Sequence, residues 1–141
     1  MQFCYEPIGF LRTPYPDPAS IPKAFGAVPT AEGRVEILPE FSAGLLGIDS
    51  FSHLILIVSF HLSREKPLQV IPPTKTEARG VFSSRSPERP NAIGLATVRL
   101  LKRQERILYV QGVDFADGTP VLDIKPYLLH FDCRPEATVS S

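Results

Sequence analysis

The sequence predicts a mainly-β domain that is closed or nearly closed. Short apolar segments are separated by Pro- and Gly-rich turns, only one convincing helix is found, and no repeat or linker divides the 141 residues. The fifteen prolines are about twice the usual share and follow no period. They therefore fit stiff turns and exclude a collagen-like or low-complexity chain. A mainly-β domain avoids exposed strand edges by closing on itself.

The first three predicted strands are short, and turn residues separate them. Residues 3–13, FCYEPIGFLRT, show mixed alternation and lead into the Pro-rich turn TPYPDP. Residues 33–39 alternate Val35 and Ile37 with charged residues and stop at a proline. Residues 53–60, HLILIVSF, form a nearly continuous apolar run, which predicts a strand buried on both faces.

A hairpin and one short helix follow from the remaining patterned segments. Residues 92–104 read as a strand or a short helix, and the turn-like RQER after them favours a hairpin into 107–115. EFSAGLLG, residues 40–47, predicts a short helix because it follows a proline and ends at a glycine. The hairpin gathers four basic side chains near one solvated end: Arg99, Lys102, Arg103 and Arg106.

Composition and charge narrow the classes of function. The fifteen cations balance fifteen carboxylates, so any contact with RNA must come from a local basic patch. The apolar run around residues 53–62 is too short to span a bilayer, and no signal peptide is visible, so no membrane association is expected. Cys4 and Cys133 have no metal-binding spacing and read as reduced thiols of a cytoplasmic protein. The long segments 14–32 and 61–79, without predicted structure, are candidates for function.

The segment GVFSSRSPERPNAIGLATVRL, residues 80–100, contains the strongest candidate site. Its two prolines remove backbone donors and fix φ, so SSRSPERPN is a stiff loop rather than a strand. The loop presents Arg85, Arg89 and Asn91, and an arginine offers paired donors to a carboxylate or a phosphate. The alternative is a surface turn in which an arginine pairs with Glu88.

A second polar cluster lies in GVDFADGTPVLDIKPYL, residues 112–128. ADGTP is a turn with carboxylates on either side, and Asp123 and Lys125 lie on the same face of an extended segment. The alternative is a turn with a surface ion pair. His53 and His61 are at most ~26 Å apart on a straight strand, so they cannot share one metal ion. No metal-ligand spacing, nucleotide-binding loop or hydrolase motif is present, and no metal is expected.

These two motifs together resemble the TsaA-like family, whose best-known members are TrmO-type tRNA methyltransferases. PIGFLRTPYP, IPKAFGAV and GLLGIDSFSHLILIVSFH are similar to further family segments, so the resemblance covers nearly the whole chain. It implies an S-adenosylmethionine-dependent enzyme that methylates N6-threonylcarbamoyladenosine in tRNA. It also implies a single antiparallel β-barrel of six to seven strands over 1–135, with one short helix, long loops and a tail at 136–141. A homodimer with the cofactor near the subunit interface is implied as well.

The resemblance also implies roles for individual residues. Arg89 and Lys125 match positions that bind substrate, and Asp123 or His61 is the candidate general base, with Arg85 and Asn91 as further catalytic residues. The implied cofactor-binding residues are Phe25, Gly26, Ala27, His61, Leu62, Arg85, Ser86, Val113, Asp114, Phe115 and Ala116.

Departures from the family pattern leave two alternatives open. Glu88, Ala92 and Ile55 stand where the family often has an aromatic residue, a proline and a tryptophan. Many tRNA-acting members also continue into a further C-terminal domain, whereas this sequence stops soon after DIKPYL. The alternatives are a methyltransferase with another small-molecule or RNA substrate, and a barrel that binds cofactor or RNA without catalysis.

Overall fold

A computed structural model describes residues 1–23 and 26–140, and six of its strands form a closed antiparallel barrel. The barrel order is β1-β2-β7-β6-β3-β8, and pairing of β8 with β1 closes the ring. This confirms the predicted fold class. The strands are β1 Gly9–Arg12, β2 Glu32–Ile37, β3 His53–Ser59, β4 Gln69–Val70, β5 Arg79–Gly80, β6 Ile93–Gln104, β7 Ile107–Gln111 and β8 Pro120–Pro126.

The barrel interior is filled by alternate residues of these strands. Leu54, Leu56 and Val58 of β3 are almost fully buried, and so are Val35 of β2 and Leu108 of β7. This alternation is what a strand produces when one face packs inward and the other faces outward. The hydrophobic core is therefore the inside of the barrel.

The outward face of β3 differs from the prediction. Ile55 and Ile57 alternate with the buried residues but remain half-buried rather than buried. No second layer of the described chain covers them, because the barrel is a single closed sheet. The apolar run therefore does not reflect burial on both faces within one chain.

The first strand is shorter than predicted, and the hairpin is confirmed. β1 spans four residues, because the proline at position 7 lacks an N–H for the ladder and another at position 14 follows its end. β6 and β7 pair through a two-residue turn, with φ of 54° at Glu105. The basic cluster at this end is partly engaged, since Arg103 donates to the Leu45 carbonyl and Arg106 to the Ile37 carbonyl.

The predicted helix at 40–47 is a 3₁₀ helix over Pro39–Leu45. A proline fixes its first turn, and its Leu45 packs into the core at one end of the barrel. Three further 3₁₀ turns at Pro18–Ser20, Ile48–Ser50 and Val81–Ser83, and a short helix α1 at Leu129–Asp132, were not predicted. The domain boundary at residue 135 stays a prediction.

Candidate functional site

A cleft of about 710 Å³ opens at one end of the barrel. Five segments from four separate regions of the sequence form its walls. They are Pro18–Lys23 after β1, Phe60–Ser63 after β3, the stiff loop around Ser84–Asn91, Ile93–Leu95 at the start of β6, and Asp114–Ala116 after β7. Both long segments that the sequence marked as candidates for function therefore contribute to one cavity.

Two aromatic rings form an apolar part of this cleft. The ring centroids of Phe60 and Phe115 lie 6.0 Å apart with an interplanar angle of 52°. The Phe60 ring packs directly over Gly94, where a Cβ atom would lie 2.8 Å from Phe60 Cε2. Glycine at position 94 therefore permits the ring to occupy this place. Such a surface suits a flat heterocycle.

The stiff loop is braced from within by Arg89. Its Nη1 donates to the carbonyl oxygens of Ser84 at 3.0 Å and Ser86 at 3.2 Å. The Ser86 hydroxyl accepts the backbone N–H of Glu88. Arg85, in contrast, is exposed in the cleft and makes no hydrogen bond or ion pair within the described chain. Arg89 therefore stabilises the loop, and Arg85 faces the cavity.

Glu88 ties the stiff loop to the segment that follows β3. Its Oε2 accepts the Ser63 hydroxyl at 3.0 Å and the Glu65 backbone N–H at 2.8 Å. No arginine lies within 4 Å of the Glu88 carboxylate in residues 1–23 and 26–140. The alternative of a surface turn with an Arg–Glu88 pair is therefore wrong.

Asp114 supplies the carboxylate of the cleft. Surrounding protein atoms partly dehydrate it and raise its pKa, while its own backbone N–H and the charge of Arg85 act in the opposite direction. The side chain is nevertheless exposed by surface area, since it stands in an open concave site. A carboxylate and a guanidinium of opposite charge therefore face the same cavity.

The loop that carries Asp114 is held rigidly behind the cleft. The Thr13 backbone N–H donates to Asp117 Oδ1, and the Thr13 hydroxyl donates to the Phe115 carbonyl at 2.7 Å. The buried Thr119 hydroxyl donates to the Ala116 carbonyl at 2.6 Å. Asp117 therefore fixes the loop and does not line the cleft.

The structure brings most, but not all, of the predicted site residues together. Cleft-lining residues among them are His61, Leu62, Arg85, Arg89, Asn91, Asp114, Phe115 and Ala116. Val113 is buried in the core, Ser86 acts within the stiff loop, and Gly26 and Ala27 lie outside the cleft lining. Phe25 lies outside the described residues. The roles of all these residues stay predictions.

Asp123 and Lys125 lie apart from the cleft of their own chain. Lys125 Nζ is 2.8 Å from Asp123 Oδ2, which is the ion pair that the spacing predicted. In the strand register Asp123 pairs with Ile57 and Lys125 with Ile55, so both belong to the outward face of the barrel. Next to them on this face are the partly exposed Leu95 and Ile93 of β6, which also line the cleft. An apolar outer face is therefore continuous with the cleft rim.

Several cleft residues were not singled out from the sequence. The sequence predicts Phe60 as the end of an apolar strand and Thr119 as part of a turn, without a role in a site for either. The individual residues of Pro18–Lys23 were not named, although their segment was a candidate for function because of its length without predicted structure. Within the described ranges, no group of three or more His, Cys, Asp or Glu side chains could hold a metal ion. No helix in the same ranges has the length and hydropathy needed to cross a membrane.

Comparison with known proteins supports the resemblance stated from the motifs. A family model described as tRNA-methyltransferase O N-terminal domain matches residues 10–133. A probable S-adenosyl-L-methionine-binding protein of Pyrococcus abyssi is 46% identical over 139 residues, which cover 99% of this chain and 76% of that protein. The tRNA (adenine(37)-N6)-methyltransferase of Escherichia coli is 36% identical, with 98% of this chain and 63% of that protein covered.

A solved structure agrees with the barrel architecture. The crystal structure of TrmO from Pseudomonas aeruginosa has a TM-score of 0.81 and 36% identity to this chain. The match covers 98% of this chain and 61% of that one, so the chain spans about three fifths of the solved protein. The family model covers most of the barrel and both motifs, from Phe10 to Cys133. The chain therefore belongs to the family defined by the N-terminal domain of tRNA-methyltransferase O.

Proposed function

We propose that this protein is an S-adenosylmethionine-dependent methyltransferase that acts on tRNA, with N6-threonylcarbamoyladenosine as the methyl acceptor. The observation that carries the proposal is the cleft in which Arg85 and Asp114 face an apolar aromatic surface, in a chain of this family. Relatives named as S-adenosylmethionine-binding proteins and as tRNA methyltransferases support the cofactor and the substrate class.

The residues of the cleft fit the chemistry of this cofactor. Its carboxylate suits the paired donors of Arg85, and its cationic groups suit the Asp114 carboxylate. Its flat adenine suits the surface formed by Phe60 and Phe115. When bound, the cofactor supplies a methyl group that is already activated on a sulfonium. Backbone groups of the predicted cofactor-binding residues complete its binding in this proposal.

The chain has to align the acceptor nitrogen, exclude water and accept a proton. In this proposal His61 is the general base, because its imidazole lines the cleft and Asp123 does not. Asn91 orients the acceptor from the end of the stiff loop. Arg89 supports substrate binding by holding the loop in shape, as its two bonds to backbone carbonyls indicate.

A homodimer in the cytoplasm is part of the same proposal. The outward apolar face includes Ile93 and Leu95, whose surfaces are 46% and 52% exposed, and it joins the cleft rim. A second copy packed on this face would bury the half-buried isoleucines of β3 and enclose the cleft. It would also bring its Asp123 and Lys125 toward that cleft, which is how these two residues reach substrate in the proposal.

The test combines cofactor binding with product analysis. We expect calorimetry to show one S-adenosylmethionine site per chain, and mass spectrometry of digested tRNA to show a methyl group on the modified adenosine. Arg85→Ala is expected to abolish transfer without unfolding the protein, because it removes the exposed guanidinium of the cleft. Arg134→Ala, which changes an exposed arginine of the C-terminal segment, serves as the matched control.

Two results would redirect the proposal. Cofactor binding without a methylated tRNA product would favour another acceptor or the non-catalytic barrel, as the name of the Pyrococcus relative suggests. Normal turnover by a folded Arg85→Ala protein would contradict the role of Arg85.

A further inference from the structure

The excursion between β3 and β6, residues 61–92, concentrates positive charge on a neutral chain. It contains six Lys or Arg and three Glu, although the whole sequence has fifteen of each sign. One of its carboxylates, that of Glu88, is engaged in tying the loop. The exposed cations of the excursion are Arg64, Lys66, Lys75, Arg79 and Arg85.

Carboxylate partners distinguish these cations from some cations of the barrel, although Arg99 and Lys102 of β6 also have no carboxylate within 4 Å in the described ranges. On the barrel, Arg12 pairs with Glu36 at 2.6 Å and Lys125 with Asp123 at 2.8 Å. Within the ranges that the structure describes, none of the five exposed cations of the excursion has a carboxylate within 4 Å. The excursion therefore presents unneutralised positive charge to solvent.

The same excursion also carries an exposed aromatic side chain. Phe82 has 79% of its surface exposed, although it belongs to a well-held 3₁₀ turn. The neighbouring Val81 is buried, and its N–H donates to the Leu68 carbonyl at 2.9 Å. The Ser83 hydroxyl donates to the Gly80 carbonyl at 2.7 Å. The turn thus holds an exposed aromatic ring in a defined place.

This ring lies close to the cleft along the chain. Ser84 and Arg85, the second and third residues after Phe82, line the cavity. Two residues of extended chain span at most ~7.6 Å between Cα atoms. A polymer that places one unit in the cleft could therefore contact Phe82 with an adjacent unit.

We propose that Phe82 is a stacking platform for a base of single-stranded RNA next to the nucleotide that enters the cleft. Arg79 and Lys66 bind the phosphates of this segment in the same proposal. It rests on the proposed function, because modification of a base requires that base to leave its stack. Exposed aromatic rings flanked by cations are how proteins bind single strands without reading every base.

The positive charge of the excursion favours RNA, rather than a second copy of this chain, as the partner that binds the surface around Phe82. In a dimer whose two-fold axis passed through this patch, the cations would approach their own copies, and the repulsion of like charges opposes such a contact. A phosphate backbone neutralises them instead. The outward face of β3 and β6 remains the surface proposed for the dimer.

The experiment compares Phe82→Ala and Phe82→Trp with the wild-type protein. The probe is a fluorescently labelled anticodon stem-loop RNA, and the affinity for S-adenosylmethionine is measured separately by calorimetry. We expect Phe82→Ala to weaken RNA binding roughly 5- to 150-fold, as loss of one base–aromatic stack does, with cofactor affinity unchanged. Phe82→Trp is expected to bind as well as the wild type. Phe131→Ala, with a ring 72% exposed on α1, is the matched control and should change nothing.

Salt dependence tests the phosphate contacts. Arg79→Ala and Lys66→Ala should each reduce the slope of log affinity against log salt by about 0.7.

Unchanged RNA affinity in Phe82→Ala, or an equal loss of cofactor affinity, would overturn the proposal. If Phe82→Ala became monomeric but kept its RNA affinity, the proposal would also be overturned, because Phe82 would then belong to a subunit interface. A wild-type protein that binds cofactor but no RNA would overturn this inference and leave the cofactor site intact. If the protein binds RNA through Phe82 but does not bind S-adenosylmethionine, the RNA-binding surface is supported and the proposed methyltransferase activity is contradicted.

Discussion

At the scale of single residues, the cleft contains two charges that the fold treats differently. Arg89 donates to two backbone carbonyl groups, whereas Arg85, four residues earlier, lines the cavity and makes no hydrogen bond or ion pair with any residue that the structure describes. Asp114 is partly dehydrated and depends on the nearby Arg85 for a compensating charge. A partly dehydrated carboxylate destabilises the folded protein. Such a group is typical of a functional site, where a bound ligand supplies the interactions that the carboxylate has lost with water.

Asp114→Asn should make the free protein more stable at neutral pH. The raised pKa means that the folded protein binds this proton more tightly than the unfolded chain does. The ionised carboxylate therefore destabilises the fold above both pKa values. This effect shrinks as the pH falls through the raised pKa of the folded protein and vanishes only below the pKa of the unfolded chain. We expect the free energy of unfolding of Asp114→Asn to exceed that of the wild type at pH 7, with a difference that shrinks on acidification. Denaturant titrations at several pH values measure this.

Asp114→Asn should bind S-adenosylmethionine more weakly than the wild type, although it is expected to be more stable. Wild-type affinity is expected to fall as Asp114 becomes protonated, whereas Asp114→Asn binds weakly at every pH. Asp49→Asn, at an exposed carboxylate on a 3₁₀ turn far along the chain, is the control. Equal stability and equal affinity of Asp114→Asn and wild type would show that the carboxylate has no part in the site.

At the scale of elements, the site depends on how two loops are tied together. The stiff loop is braced internally, but the segment after β3 is held to it through the Glu88 carboxylate. His61 and Leu62 lie in that segment. The position of the candidate base therefore depends on a side chain from another element.

Glu88→Ala should loosen the segment after β3 while the barrel stays folded. It leaves the Ser63 hydroxyl and the Glu65 N–H without their acceptor, and a hydrogen bond to a charged group contributes about 1.5–3 kcal/mol. Hydrogen exchange at residues 61–65 should become faster, and cofactor affinity should decrease. Glu65→Ala is the control, because Glu65 contacts Glu88 through its backbone N–H and not through its side chain. This variant should change neither the hydrogen exchange at residues 61–65 nor the cofactor affinity. Unchanged exchange in Glu88→Ala would contradict the proposed tie.

The elements also show which parts of the structure the sequence could predict. Alternation and turn residues correctly predicted the β6–β7 hairpin and β2, because these signals are local. The two prolines correctly predicted a stiff loop at residues 83–91. Pairing of β3 with both β6 and β8 is long-range, and alternation does not specify a strand's partner. The meeting of five segments in one cleft, and the packing of Phe60 on Gly94, follow from that closure and could not be predicted from local patterns.

At the scale of the whole molecule, two surfaces differ in character. The excursion contains five exposed cations without a carboxylate within 4 Å in the described ranges, whereas the outer face of β3 and β6 contains apolar side chains beside the cleft rim. The two surfaces suit two different partners, a polyanion and a second copy of this chain. The second copy that we propose would bury the outward residues of β3, which gives the apolar run a physical explanation.

Ile55→Asp should convert the proposed homodimer to a monomer. The side chain lies on the outward face of β3, between Thr97 of β6 and Lys125 of β8 in the strand register. A carboxylate at the centre of an apolar interface cannot be buried without a large loss of hydration. Because the partner encloses the cleft in our proposal, cofactor affinity should fall together with the dimer, and sedimentation velocity and calorimetry measure the two effects. Ile107→Asp makes the same change at a partly buried outward position of β7, away from this face, and should leave both properties unchanged. A monomeric wild-type protein that binds the cofactor fully would show that one chain suffices, and Asp123 would then have no route to the site.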